Sequence, residues 1–178
     1  MATDEFSADA EPEQSKWQQE IRPLNSDGSI VRIANDDWIW FLNEKTMGTL
    51  RPEHCGKWMH FFSSENRDYV DQAVAGAVLS GAVAQAKYTG PLILETFGQR
   101  SGVCCFYLND NDNQGHIRIL SYMMEHDLIR KTKSGKLYNI SFKYDSQTYA
   151  REYKSSGFSG KIRLADFVDL ETGLFLRS

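Results

Sequence analysis

The sequence predicts an α+β fold, a mixed or antiparallel sheet with helices packed on one face. Three observations lead there. Short apolar and aromatic runs of strand length recur along the 178 residues. Two longer stretches between them repeat apolar residues at i, i+3 and i+4. Turn clusters set hairpin-like pairs near both ends, and no internal repeat divides the chain.

Residues 1–15 (MATDEFSADAEPEQS) are acidic, polar and poor in large apolar groups, so a disordered tail is expected there, with one α+β domain over 16–178. Residues 21–24 and 30–33 flank Asn25-Ser26-Asp27-Gly28-Ser29, a turn cluster. Trp38-Ile39-Trp40-Phe41-Leu42 is a short aromatic run and reads as a buried strand. Gly48, Pro52 and Gly56 make 43–56 a loop. The next strand, 58–62, puts Trp58, His60 and Phe62 on one face and Met59 and Phe61 on the other. Ser63, Ser64 and Asn66 offer caps for a helix over 67–85, where Val70, Ala73, Val74, Ala77, Val78 and Ala82 form the apolar stripe. Gly76 and Gly81 weaken that helix by ~1 kcal/mol each against Ala, but allow close packing on a sheet. Gly90-Pro91 breaks the chain. Residues 103–108 (VCCFYL) read as a third strong strand. Asp110 to Asn113 form a turn and cap before a helix over 114–129, with Ile117, Leu120, Met124 and Leu128 on its stripe. Lys133-Ser134-Gly135-Lys136 is a turn, 137–144 alternates as a strand, 146–153 reads as a short helix, and 161–168 and 173–176 read as closing strands.

Composition narrows the function classes. Apolar residues are 41% of the chain and aromatics 12%, enough for a sizeable core at this length. A net charge of −4 and a pI near 5.6 argue against a general nucleic-acid binder while leaving room for a local basic pocket. No apolar run approaches ~18 residues, so no membrane span is expected. No charged-then-apolar start suggests a signal peptide. Three cysteines, two of them adjacent (Cys104, Cys105), do not make a disulfide framework; a reducing, cytoplasmic setting fits best. Walker and dinucleotide glycine motifs are missing, as is Zn-type Cys/His spacing, so neither cofactor nor metal is expected.

One His and one Lys stand out as acid–base candidates. His60 lies between aromatic rings, and Lys87 lies among small and apolar residues. A Lys serves as a base near neutral pH only when burial or nearby cations lower its pKa. A His serves as an acid without such help. Other motifs carry less. His54-Cys55 suggests a nucleophile pair, but neighbours on an extended segment point apart. The Asp110–Asp112 cluster lacks the Gly and final Glu of a calcium loop, leaving a turn and helix cap. Trp38, Trp40 and Trp58 are most simply core; for stacking on a flat base, only one ring of the Trp38/Trp40 pair is expected to qualify.

At Trp38-Ile39-Trp40, Gly56-Lys57-Trp58-Met59, Ala86-Lys87, Val103-Cys104-Cys105-Phe106-Tyr107 and Phe142-Lys143-Tyr144-Asp145, the order of motifs resembles the basophilic-leukaemia-expressed protein family, also labelled phosphothreonine lyase domain proteins. The resemblance spans residues 36–155. It implies a fold similar to the cap-binding translation initiation factor, a curved antiparallel sheet backed by helices. A more distant similarity is to the phosphothreonine lyases secreted by bacterial pathogens. These have a Lys-Phe-His strand, a helix, a Lys-Val segment and an Arg shortly before a strand ending Leu-Tyr. Lys57-Trp58-Met59-His60, Lys87-Tyr88 and Arg100 follow that order here. The similarity implies His60 as acid, Lys87 as base and Arg100 as a phosphate contact. Aligned without a gap, however, Met59 takes the acid position, and a slip of one residue would change the sheet face. Lys143 and Arg151 flank the last module and are further phosphate-contact candidates. Trp58, Tyr88 and Tyr107 are expected to line the pocket.

The function implied is metal-independent elimination of phosphate from a phosphorylated peptide, protein or small phosphoester. It needs a base for the α-proton, an acid at the leaving oxygen and cations around the dianion. The alternative is a non-enzymatic module on the same fold, recognising a nucleotide or a protein or sequestering a phosphorylated ligand.

Overall fold

The computed structural model describes residues 20–96, 100–146 and 161–176. Seven strands form one sheet: β1 (Glu20–Pro23), β2 (Ile30–Ala34), β3 (Trp38–Asn43), β4 (Cys55–Ser63), β5 (Gln85–Thr89), β6 (Ser101–Asn109) and β7 (Lys143–Tyr144). Helices α1 (Arg67–Leu79), α2 (Pro91–Thr96) and α3 (Asn113–Glu125) accompany them among the described residues. The strand order is β1-β2-β3-β5-β6-β4-β7, and every pairing is antiparallel. The expected α+β class with a mainly antiparallel sheet is therefore what the chain forms.

The core lies between the sheet and helices α1 and α3. Ile39 and Phe41 of β3, Trp58 and Phe62 of β4, Ala86 and Tyr88 of β5, and Cys104, Phe106 and Leu108 of β6 meet Val70, Val74, Ala77 and Val78 of α1 and Ile119, Leu120 and Met123 of α3. Strand alternation selects these residues, because every second side chain shares a face. Two contacts tie the helices together. The Tyr122 hydroxyl donates to the Ala73 carbonyl at 2.8 Å, and it lies directly over Gly76, where a Cβ would collide with it. The close approach expected of Gly76 is thus to the second helix.

Several boundaries differ from the sequence reading, each for a local reason. The first helix stops at Leu79 rather than 85, because Gly81 adopts φ +77°, a conformation that ends helices, and 85–89 then joins the sheet as β5. Pro91 opens a short helix instead of only breaking the chain, as suits a residue without an N–H to satisfy. The second long helix ends at Glu125. Asp112 caps its start, its Oδ1 accepting from the Gly115 N–H at 2.8 Å, as expected of a cap rather than a calcium loop. The predicted strand 137–144 pairs with β4 only at Lys143 and Tyr144; Leu137 and Ser141 make single bridges to Lys131 and Arg163. The closing strands reduce to a 3-10 turn at Leu164–Asp166 and one bridge between Val168 and Phe175. The tail 1–15 and most of the predicted helix 146–153 fall outside the described residues. Among the described residues no helix is long and apolar enough to cross a membrane.

Candidate functional site

Two neighbouring rows of the sheet decide where the candidate residues meet. In one, Ile39, Tyr88, Cys104 and His60 are register partners across β3, β5, β6 and β4. In the next, Trp40, Lys87, Cys105 and Met59 are partners. Adjacent rows point to opposite faces. His60 therefore faces the helices, whereas Lys87 faces away from them, with Met59 on its side. Met59 rather than His60 shares the Lys87 row, and the sheet itself separates the expected acid from the expected base.

His60 is held on the helix side: its Nδ1–H donates to the Leu128 carbonyl at 2.7 Å. Burial lowers its pKa, and nearby Arg130 lowers it further. Trp58 and Tyr88, expected as pocket residues, are core residues on the same face. Trp58 is 0% exposed, and its indole Nε1–H donates to Nδ1 of His116 at 3.0 Å. The Tyr88 hydroxyl donates to Asp71 at 2.7 Å. Arg100 is exposed beside the start of β6, where its carbonyl accepts from the Ser64 N–H. Arg151 lies outside the described residues. Tyr107, Lys87 and Lys143 are the predicted site residues that the lysine-bearing face brings together.

That face carries a cation–aromatic cluster. The Lys87 ammonium lies 3.7 Å from the centre of the Trp38 ring and 4.3 Å from that of Trp40. Trp40 in turn stacks on Tyr107 at 6.0 Å with planes 19° apart. Residues two apart in a strand share a face. The expectation that only one of the Trp38/Trp40 rings would qualify is thus corrected: both rings serve, and they hold a lysine. Burial lowers the Lys87 pKa, and nearby Lys57 acts in the same direction. Among the described residues its ammonium has neither a hydrogen-bond acceptor nor a carboxylate partner; the rings supply its close contacts.

Lys57, which sequence reasoning used only as a motif marker, is a central member. It is 6% exposed and is the register partner of both Tyr107 and Lys143. Its ammonium lies 2.6 Å from Asp145 and 5.3 Å from the Tyr107 ring centre. Lys143 is equally buried. Lysines are rarely buried unless paired, and Asp145 is the visible counter-charge for Lys57. The signal that could have marked Lys57 was its alternation: Lys57 and Met59 on one strand, and Lys87 across the sheet, share a face. Cys105 and Tyr107 complete the surface, and burial raises both of their pKa values, so the thiol and phenol stay protonated.

The cluster is closed at one end and partly open at the other. Lys57, Cys105, Tyr107 and Lys143 are buried, Trp38, Trp40, Lys87 and Met59 are half-buried, and Phe61 is exposed. An anion arriving at the Trp38–Met59 end would meet Lys87 first. His54 and Cys55 do not form a nucleophile pair: His54 Nδ1 pairs with Asp110 at 2.8 Å, and burial pushes the Cys55 thiol up to about 11. Among the described residues no three His, Cys, Asp or Glu side chains gather as a metal site. No family model matches the chain, and no curated protein matches it significantly.

Proposed function

We propose that the lysine-bearing face binds a phosphate monoester, on a peptide or a small molecule, and holds it without eliminating phosphate. The observation that supports this reading is the Lys87 ammonium, half-buried over two tryptophan rings and without an anionic partner among the described residues. A phosphate oxygen would supply the acceptor the rings do not. Lys57 behind it adds a second positive charge, moderated by Asp145. Trp38 and Trp40 keep water from the ammonium, which strengthens its attraction for an anion.

The same geometry weighs against the lyase reading drawn from the resemblance. Elimination needs an acid near the leaving oxygen. His60 is on the opposite face, Met59 cannot donate a proton, and the Cys105 and Tyr107 protons are held more tightly than usual. The module alternative on this fold is therefore the better-supported one.

Calorimetry with a phosphothreonine peptide and its unphosphorylated twin tests binding. Only the phosphorylated peptide is expected to bind, and Lys87→Gln is expected to weaken it by about tenfold or more, the size of a charge-assisted hydrogen bond. Mass spectrometry of the incubated peptide is expected to show an unchanged mass. Loss of one phosphoric acid, abolished by Lys87→Gln, would restore the lyase reading. Equal affinity for both peptides would refute phosphate recognition.

A further inference from the structure

A second cationic site lies on the helix-bearing face at the far edge of the sheet. Arg22 of β1 and Arg32 of β2 are direct register partners, and Arg32 is in turn the partner of Phe41. Two like charges directly opposite on antiparallel strands repel one another. Arg67, the first residue of α1, adds a third guanidinium to the same cleft. These three arginines, with Asp68, Asp71, Gln72 and Tyr88, enclose a cleft of about 410 Å³.

The internal neutralisation of this cluster is incomplete. Asp71 comes within 3.5 Å of Arg32 Nε, but its Oδ1 already accepts from the Tyr88 hydroxyl at 2.7 Å. Arg32 Nε is buried and has no hydrogen-bond partner. Buried donors are almost always satisfied, and here the nearest acceptor, Asp71, is divided between Arg32 and the Tyr88 hydroxyl. Among the described residues Arg22 and Arg67 have neither a carboxylate partner nor a hydrogen-bonded acceptor. Three guanidiniums face two carboxylates, one of which is shared with a tyrosine.

We infer that this cleft is a second anion site, which takes a phosphate group on Arg22, Arg32 and Arg67. Planar guanidiniums offer paired N–H donors that match phosphate oxygens, and Arg22 and Arg67 bring two of them to the cleft without a carboxylate partner among the described residues. A phosphate would also relieve the repulsion between the two strand arginines. The site is separate from the Lys87 face, because Arg32 shares its row with Phe41 and Ala86 on the helix side. It does not depend on the function proposed for that face.

The Arg32 Nε–H signal in a proton–nitrogen correlation spectrum reports directly on the site. The probe is inorganic phosphate, followed by free phosphothreonine, each against chloride at equal ionic strength. A saturable shift with both phosphates and none with chloride is expected. Arg22→Gln, at an exposed position, with Arg67→Gln, at a half-buried one, should weaken that binding at least fivefold and leave the thermal midpoint unchanged. Lys87→Gln should leave it intact, which separates the two sites. A shift that never saturates, that chloride reproduces, or that survives the double substitution would overturn the inference. So would a shift abolished by Lys87→Gln. Saturation by inorganic phosphate alone would restrict the site to the free ion and overturn its assignment to phosphate monoesters.

Discussion

The two faces of this sheet use aromatic rings in opposite ways. On the helix side, Trp58 is sealed among His116, Phe142 and Phe167 at 5.7–6.4 Å between ring centres, and its one polar atom is satisfied by an imidazole. On the other side, Trp38 and Trp40 enclose an ammonium that has no hydrogen-bond acceptor among the described residues. The first arrangement completes its hydrogen bonds internally and stabilises the fold. The second leaves a donor available to something outside the described residues. Indoles on different strands of one sheet thus become core or candidate site according to what their polar neighbour lacks.

His116 makes the contrast sharper. It is 0% exposed; Nδ1 accepts from Trp58, and Nε2–H donates to the Asp110 carbonyl at 3.1 Å. That pair of bonds fixes one neutral tautomer. A proton added to Nδ1 would destroy the acceptor Trp58 uses, and burial accordingly lowers the His116 pKa.

Truncation should reveal the largest difference between the faces. Trp58→Ala is expected to cost about 3–5 kcal/mol in urea unfolding, as for other large-to-small core changes. Trp38→Ala, at a half-buried site, should cost less than half as much but weaken phosphopeptide binding. Equal losses of stability would erase the distinction. Next in size is Gly56→Ala. A Cβ there would overlap the Phe142 ring and come within 2.8 Å of the Lys143 carbonyl, so a loss of about 1–3 kcal/mol is expected from overpacking. Retained stability would mean that β7 and Phe142 yield easily.

Acid provides the third comparison. Because the folded pKa values of His60 and His116 lie below the ordinary histidine value, the unfolded chain binds protons first. Their contribution is complete above about pH 6.5 and is lost as pH falls through the lower folded values. His116→Gln should reduce stability at pH 7 and flatten its dependence below about pH 6.5, measured by urea unfolding. An unchanged slope would show that His116 is not the titrating group. Lys87 has the same sign at the alkaline end. Its depressed pKa makes stability rise as pH climbs toward the ordinary lysine value of 10.5, and Lys87→Met should remove that rise. The smallest effect is expected at Lys136, whose exposed pairing with Glu171 at 2.9 Å should be removable without a measurable shift of the thermal midpoint.

Much of the fold was legible in the chain. The aromatic runs at 38–42 and 58–62, the VCCFYL segment and the first apolar stripe became the elements their periods indicated; the second helix formed too, but it buries Ile119, Leu120 and Met123 rather than Ile117 and Met124. The β5 strand was hidden because Ala82 continues the helical stripe past Gly81, and only the positive φ at that glycine ends it. Of the site, Lys87, Lys143 and Tyr107 were found, while Lys57 was passed over and His60 was assigned to the wrong company. The alternation rule already put His60 opposite Met59. What it lacked was the partner strand, since residues as far apart in sequence as Trp40 and Lys87 become neighbours only through a register.

The chain by itself determined which residues share a strand face or a helix stripe, because backbone geometry sets those periods locally. Only the tertiary structure decided which face the helices would cover, that β5 lies between β3 and β6, and hence that Lys87 joins Trp38, Trp40 and Lys57 while His60 does not. The reason is physical. Periodicity is encoded residue by residue, whereas strand order and register are settled by burying the whole apolar surface at once, a balance no single segment contains.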